Sequence, residues 1–299
     1  MERFINPFSD YGWKKIFGSE VSKDLIISFL NEVIQQEVIQ QEVIIDITFR
    51  NVEMLGLKQD QRRAVFDIFC ENEKGEFFIV EMQKSRQKYF SDRVLYYASF
   101  AIQQQSMIVK ERLEKDPEAV HKRWNYQINK VYVVCILNYV MAPAYPAKYR
   151  WDVVRMDRKL KVPFSETLNE IYIEMPKFVL PLHECDTLYK KWLYILNNIE
   201  IMERLLQELN NQIFRKLKSI VEIERMTPYQ RLEYELSLSV ERDLSAALDT
   251  SFEDSLEKGL EQGKSEILRQ VALNMKQQGL DHETIARCTG LSLAEIGEL

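Results

Sequence analysis

The chain has 299 residues, enough for one large domain or two modest ones. Its 46% apolar content fits a globular core, and only 9 Gly and 8 Pro argue against a disordered or fibrous class. A net charge of -6 excludes a general polycation, so any nucleic-acid contact has to come from a local basic patch.

The cysteines (Cys70, Cys135, Cys185, Cys288) are far apart and form no CxxC pair. With only His121, His183 and His282 beside them, they exclude a zinc finger. They read as reduced and mostly buried. The N-terminus carries charge early and has no apolar run of the signal-peptide kind. The longest uncharged run, Val131–Ala147, holds Asn138 and two prolines, short of the roughly 20 apolar residues of a membrane span. A soluble cytoplasmic protein is expected.

In chain order, Ser9 or Asp10 can cap a first helix running to about Phe17. A second helix follows from about Ser22, with Leu25, Ile26, Phe29, Leu30 and Val33 at helical spacing. VIQQE then occurs twice, at Val33–Glu37 and Val38–Glu42, a local duplication too short for a repeat architecture. Strand texture begins with IIDITFR at Ile44 and passes a charged loop, Lys58–Arg63. It resumes as Val65–Glu71 and Phe77–Gln83, which a turn at Asn72–Gly75 joins into a hairpin. An amphipathic helix over Tyr89–Leu113 and a strand over Lys130–Leu137 complete an α/β order. Tyr172–Phe178 reads as an edge strand ended by Pro176.

From about Cys185 the texture is helical, with period-3.6 apolar positions over Leu188–Glu208, Asn211–Glu224 and Pro228–Leu248. Ser251–Lys276, which contains EKGLEQGKSE, reads as a hinge-bearing helical linker, and Asp281–Leu299 as two short helices. The expected division is an α/β core over 1–185, a helical extension over 186–262, and a linker with a small helix-turn-helix-like element over 263–299.

Chemistry concentrates in the hairpin. Side chains alternate along a strand, so Glu81 and Gln83 face one way while Met82 and Lys84 face the other. Asp67 is expected mid-strand among Val65, Phe66, Ile68 and Phe69. A carboxylate in such a strand is costly unless paired or metal-bound. Two acids on paired strands can converge, and Mg2+ takes one or two carboxylates plus water and phosphate oxygens. The bland alternative is a solvated hairpin face, weakened because Asp is depleted in strand interiors.

Asp67 followed after a short turn by Glu81-x-Gln83 resembles the PD-(D/E)XK nuclease signature. More narrowly, the chain resembles the PD-(D/E)XK nuclease family transposases, relatives of the recombination-promoting nucleases. The matching stretches are SDYGWKKIFG (Ser9–Gly18), ISFLNEVI (Ile27–Ile34), FDIFCENEKGEFFIVEMQ (Phe66–Gln83), FSDRVLYYAS (Phe90–Ser99), IYIEMPKF (Ile171–Phe178) and IARCTGLSLAEI (Ile285–Ile296). The Phe66–Tyr97 block is the most specific of them.

The resemblance implies an α/β, restriction-endonuclease-like core, a mixed sheet flanked by helices, followed by an all-α C-terminal extension. It implies Asp67, Glu81 and Gln83 as catalytic residues. Asp67, Glu81 and the Met82 main-chain carbonyl would be ligands of Mg2+, with Mn2+ able to substitute. Asp10 is a further candidate ligand, and its alternative role as a helix N-cap stays open. The third signature position, usually Lys, is Gln83, which can orient water or phosphate only through hydrogen bonds. Lys14, Arg63 and Lys88 are candidates for the missing cation.

Lys84, Arg86, Lys88 and Arg93, interleaved with Tyr89, Tyr96 and Tyr97, suit a phosphate track with stacking aromatics, so that Lys14, Arg63, Lys84, Arg86, Lys88 and Arg93 form the expected DNA-binding set. Lys148–Lys161 is a second basic cluster; solvated faces are the plain alternative for both. Asp281–Leu299 resembles a helix-turn-helix remnant, but its four acids against Arg287 oppose groove reading and favour packing or self-association into a homo-oligomer.

The expected function is Mg-dependent DNA endonuclease activity linked to mobile elements or recombination. The rivals are a catalytically decayed nuclease fold acting as a DNA-binding module, and a scaffold working through its helical C-terminus.

Overall fold

A computed structural model describes residues 3–35, 43–50, 53–54, 64–115, 126–201, 203–204, 209 and 211–299. The second VIQQE copy, Lys58–Arg63 and His121 lie outside the described residues. The chain divides into two compact units, Met1–Ser237 and Leu238–Leu299.

In the first unit, the helices α1 (Asp10–Phe17) and α2 (Lys23–Ile34) precede the strands β1 (Ile47–Phe49), β2 (Glu53–Met54), β3 (Ala64–Val65), β4 (Ile68–Asn72) and β5 (Phe77–Gln83). Then come α3 (Phe90–Lys115), β6 (Val131–Leu137), β7 (Arg150–Met156), β8 (Pro163–Glu174), α4 (Leu188–Asn197), α5 (Gln212–Val221) and the start of α6 (Pro228–Gln277). β2 and β3 pair with each other, while the main sheet runs β1-β4-β5-β6-β8-β7. β5, β6 and β8 are parallel, and the remaining pairs are antiparallel. The mixed sheet flanked by helices agrees with the sequence-based expectation.

The β4–β5 turn requires Gly75. Its φ is +78°, and a Cβ there would come within 2.6 Å of Asn129 Nδ2, a conformation that L side chains rarely adopt. Asn129 is in turn fixed by the buried Gln105 of α3, whose Oε1 accepts the Asn129 N–H at 2.7 Å and whose Nε2 donates to the Asn129 carbonyl at 3.0 Å.

One sheet face carries Phe77 and Ile79 of β5 with Val131, Val133, Cys135 and Leu137 of β6. Onto it α3 packs Phe90, Val94, Ala98 and Ala101, a stripe of helical spacing. β6 is buried on both faces, as central parallel strands are. Among the helices, the rings of Trp13, Phe17, Phe29, Trp192 and Phe214 form one edge-and-tilt cluster that joins α1, α2, α4 and α5.

Two expectations are corrected. Asp67 does not sit mid-strand: the chain bends there, and β4 begins one residue later. β8 is an internal strand, with β7 at the edge; the mixed polarity of RWDVVRM hid β7, because an edge strand need not be apolar on both faces. The EKGLEQGKSE stretch is helical, α6 running through Gly259 and Gly263.

In the second unit, α7 (His282–Thr289) and α8 (Leu293–Gly297) close a small core of Ala272, Ile285 and Ile296. Gly290 ends α7 in the left-handed region, and Ser292 with Glu295 forms the expected capping box of α8. Among the described residues no helix is long and apolar enough to cross a membrane.

Candidate active site

The candidate site lies where β5 ends and α3 begins. Register places Ile68 opposite Val80, which carries Asp67 opposite Glu81. The two acids are tied reciprocally to each other's strands. The Met82 N–H donates to Asp67 Oδ2 at 2.8 Å, and the Asp67 N–H donates to Glu81 Oε1 at 3.3 Å. Glu81 is only 5% exposed.

Burial raises the Glu81 carboxyl to about 8, with the neighbouring Asp67 charge adding to the rise. Burial also raises Asp67, opposed by the Met82 N–H bond and by the positive charge of Lys14. Both shifts have the same origin: a charged carboxylate is costly in a site shielded from water and close to another acid.

Lys14 and Asp10 face this pair from α1, bridged to each other at 2.7 Å. The cap of α1 is Ser9, whose Oγ accepts the Gly12 N–H at 3.0 Å, so Asp10 is a first-turn residue and not the N-cap. Gly12 is needed here because a Cβ would come within 2.0 Å of the Asn6 carbonyl oxygen. The SDYG sequence thus sets the α1 entry that brings Asp10 and Lys14 to the acids.

Gln83 is 8% exposed and occupied at both ends. Its Oε1 accepts from Arg93 Nη2, and its Nε2 donates to the Ser85 carbonyl at 2.9 Å. Arginine can only donate, so the amide oxygen must face it. Nε2 keeps one further hydrogen. Arg93 also donates from Nη1 to Gln87 Oε1, and its guanidinium lies over the rings of Phe90 and Tyr97. Its charge reaches both acids. Arg93 thus ties α3 to the candidate site, and no spacing in the sequence announces its bond to Gln83.

The other expected residues divide. Lys84, Arg86 and Lys88 lie on the exposed stretch leading to α3, with the Lys88 ammonium 5.2 Å from the Tyr89 ring centre. Arg63 lies outside the described residues.

The Lys148–Lys161 cluster is not one patch. Lys148 and Arg150 lie at the end of the sheet where Gln83, Leu137 and Glu174 are level, whereas Arg155–Lys161 lie at the opposite end. Arg150 is held by Asp152, with its Nη2 2.6 Å from Oδ1.

The sequence reading missed the segment after β6. It starts with the Asn138 N–H donating to the Gln83 carbonyl at 2.9 Å, so it borders the site. A buried pair fastens it. Lys177 Nζ donates to Glu174 Oε1 at 2.9 Å and to the carbonyls of Ala142 and Tyr145. Glu174, fully buried, also accepts from Trp151 Nε1 and from the N–H groups of Met141 and Ala142.

Among the described residues no group of three or more His, Cys, Asp or Glu side chains is placed to hold a metal ion; the acids come as a pair. That pair still fits one. Both are hard oxygen donors whose charged forms are penalised without a counter-charge, and Mg2+ asks for only one or two carboxylates. A pocket of about 300 Å³ lined by Arg3, Phe8, Leu196 and Glu200 among others contains neither acid.

A restriction-endonuclease-like fold carrying paired acids on its central hairpin defines a nuclease-type protein. The family profile described as PD-(D/E)XK nuclease family transposase matches residues 7–251, and the chain belongs to that family. No curated protein and no solved structure matches it.

Proposed function

We propose that the protein is a divalent-metal-dependent DNA endonuclease, acting in mobile-element or recombination biology. The observation that carries this reading is the reciprocal Asp67–Glu81 pair, a half-buried and a buried carboxylate raised together at the end of the parallel strands, where open α/β sheets bind ligands. Asp67, Glu81 and the Met82 carbonyl would hold Mg2+, with Mn2+ as a substitute and Asp10 as an added donor from α1. The bound ion supplies polarisation of the phosphate and a lowered pKa for the attacking water.

The chain's own residues do the rest. Gln83 offers its remaining amide hydrogen to the water or the phosphate. Arg93 fixes the orientation of that amide and adds positive charge near the acids. Lys14, Lys84, Arg86 and Lys88, with Arg63 from outside the described residues, bind the DNA backbone. Along α6, Leu244, Leu248, Phe252, Leu256 and Leu260 are exposed at every fourth position, which supports self-association of the C-terminal helices.

The test is incubation of supercoiled and linear DNA with Mg2+, Mn2+ or chelator. Cutting is expected with either metal and is lost in Asp67→Ala. Cutting that persists in chelator or in Asp67→Ala refutes the reading.

A further inference from the structure

Far from the acids, β7 and β8 continue past the rest of the sheet. β6 begins at Val131, opposite Leu168, so residues 155–166 form a two-stranded ribbon. Its register shifts on both sides of Arg155, which pairs with Ser165.

The tip is a closed turn. The Asp157 N–H donates to the Val162 carbonyl at 2.9 Å, and the Lys161 N–H donates to the Asp157 carbonyl at 3.0 Å, with Lys161 in the left-handed region at φ 57°. The Asp157 carboxylate is turned onto the tip's own amides, accepting the N–H groups of Lys159 and Leu160 at 2.9 and 2.6 Å. Glu166 is bridged to Lys130 at 3.6 Å. Arg155, Arg158, Lys159 and Lys161 are left as an exposed positive group. Among them stand Leu160 and Phe164, 74% and 77% exposed, with Met156 and Val162 beside them.

Large apolar side chains grouped on a surface mark an interaction site. Interleaving with four cations selects the partner. A purely apolar protein surface would leave the charges unpaired, whereas a nucleic-acid duplex takes both: cations bind phosphates, and apolar side chains enter a groove and wedge against base steps. A two-stranded ribbon is narrow enough to enter a groove.

The spacing agrees. Glu81 is level with Cys135 and Tyr172, and Val162 at the tip is ten residues from Tyr172, so at about 3.3 Å per residue the tip stands roughly 33 Å along the strand direction from the acids. That is about one turn of B-form duplex.

We propose that the β7–β8 ribbon is a second DNA-docking element, with Arg158 and Lys159 on the phosphates and Leu160 and Phe164 in the groove, about one helical turn from the cut. This inference rests on the nuclease reading for the identity of the duplex.

The test uses the full chain with a fluorescent duplex of about 30 bp in chelator, where binding is read without cutting. Arg158→Gln with Lys159→Gln should lower the salt slope of binding by about two units. Leu160→Ser with Phe164→Ser should weaken affinity about tenfold or more at an unchanged slope, because stacking or wedging contacts carry no counterion release. Circular dichroism and the thermal midpoint, unchanged in both, exclude misfolding. Duplex affinity and slope equal to wild type in both variants overturn the proposal. So does a loss confined to anionic vesicles, or a loss of self-association in sedimentation with duplex binding intact. Metal-dependent cutting that persists in such variants leaves the nuclease reading standing. Failure to cut, with duplex affinity that still depends on the ribbon, overturns only the nuclease reading.

Discussion

Glu81 shows how a residue can be placed against its own stability. Its carboxyl is raised from 4.5 to about 8 by burial and then by Asp67. Below the lower value both folded and unfolded chains hold the proton, and the shift costs nothing. Between the two values the unfolded chain gives up its proton while the folded chain keeps it, so stability falls as pH rises, and above the upper value the loss is complete. Glu81→Gln removes this titration. In chelator its thermal midpoint should exceed that of wild type at about pH 9, and the gap should close at about pH 5. A gap independent of pH would show that burial of the charge is not the cause.

Gln83 has the opposite character, a neutral group held at both ends. Gln83→Ala should lower single-turnover cutting by about 10²–10³-fold, the usual loss for one preorganised donor, with metal binding retained. Arg93→Lys should show a similar loss, because an ammonium cannot reproduce the forked contact to Gln83 and Gln87.

Asp67 and Glu81 stand out in the sequence as acids among apolar residues, and Gln83 only through the resemblance to the PD-(D/E)XK signature. The Arg93 bond was not, since it depends on how α3 docks, a matter of tertiary packing.

At the scale of elements, the segment after β6 depends on one buried ion pair. Glu174→Gln would leave the Lys177 ammonium without its counter-charge, and breaking such a pair costs about 3–5 kcal/mol. Urea denaturation should show that loss. Glu174 is held below the usual carboxylate range, burial pushing it up but Lys177, Trp151 and two amides outweighing that. Its contribution is therefore present at neutral pH and disappears as pH falls through its folded value.

The α3 stripe, the β6 run and the Gly75 turn could be read from periodicity and turn chemistry. The place of β8 inside the sheet and of β7 at its edge could not, because strand order is decided by partners far apart in sequence. The split of the Lys148–Lys161 cluster follows from the same cause: neighbours in the chain end up at opposite ends of a strand.

For the whole molecule, protons and metal are linked. Ligands must give up their protons to bind, so a divalent ion should release protons from the acid pair and stabilise the fold more as pH rises. The Mg2+-induced increase in thermal midpoint should grow between about pH 6 and pH 8 and vanish in Asp67→Asn. An equal increase in wild type and variant would place the ion elsewhere.

The hairpin geometry also bears on the order of folding. β4 and β5 are joined by a tight turn, and such hairpins form in about 1–10 μs. The pairing of β5 with β6, which sets Phe77 beside Val131, is far less local and has to wait for α3. Asp67 and Glu81 therefore meet early, in a hairpin still bathed in water, where their repulsion is weak. Dehydration of the pair comes only when α3 and β6 dock, so the charge penalty falls on the later step. Stopped-flow refolding in chelator should slow as pH rises through the Glu81 titration, and Glu81→Gln should refold at a rate that ignores pH over the same range.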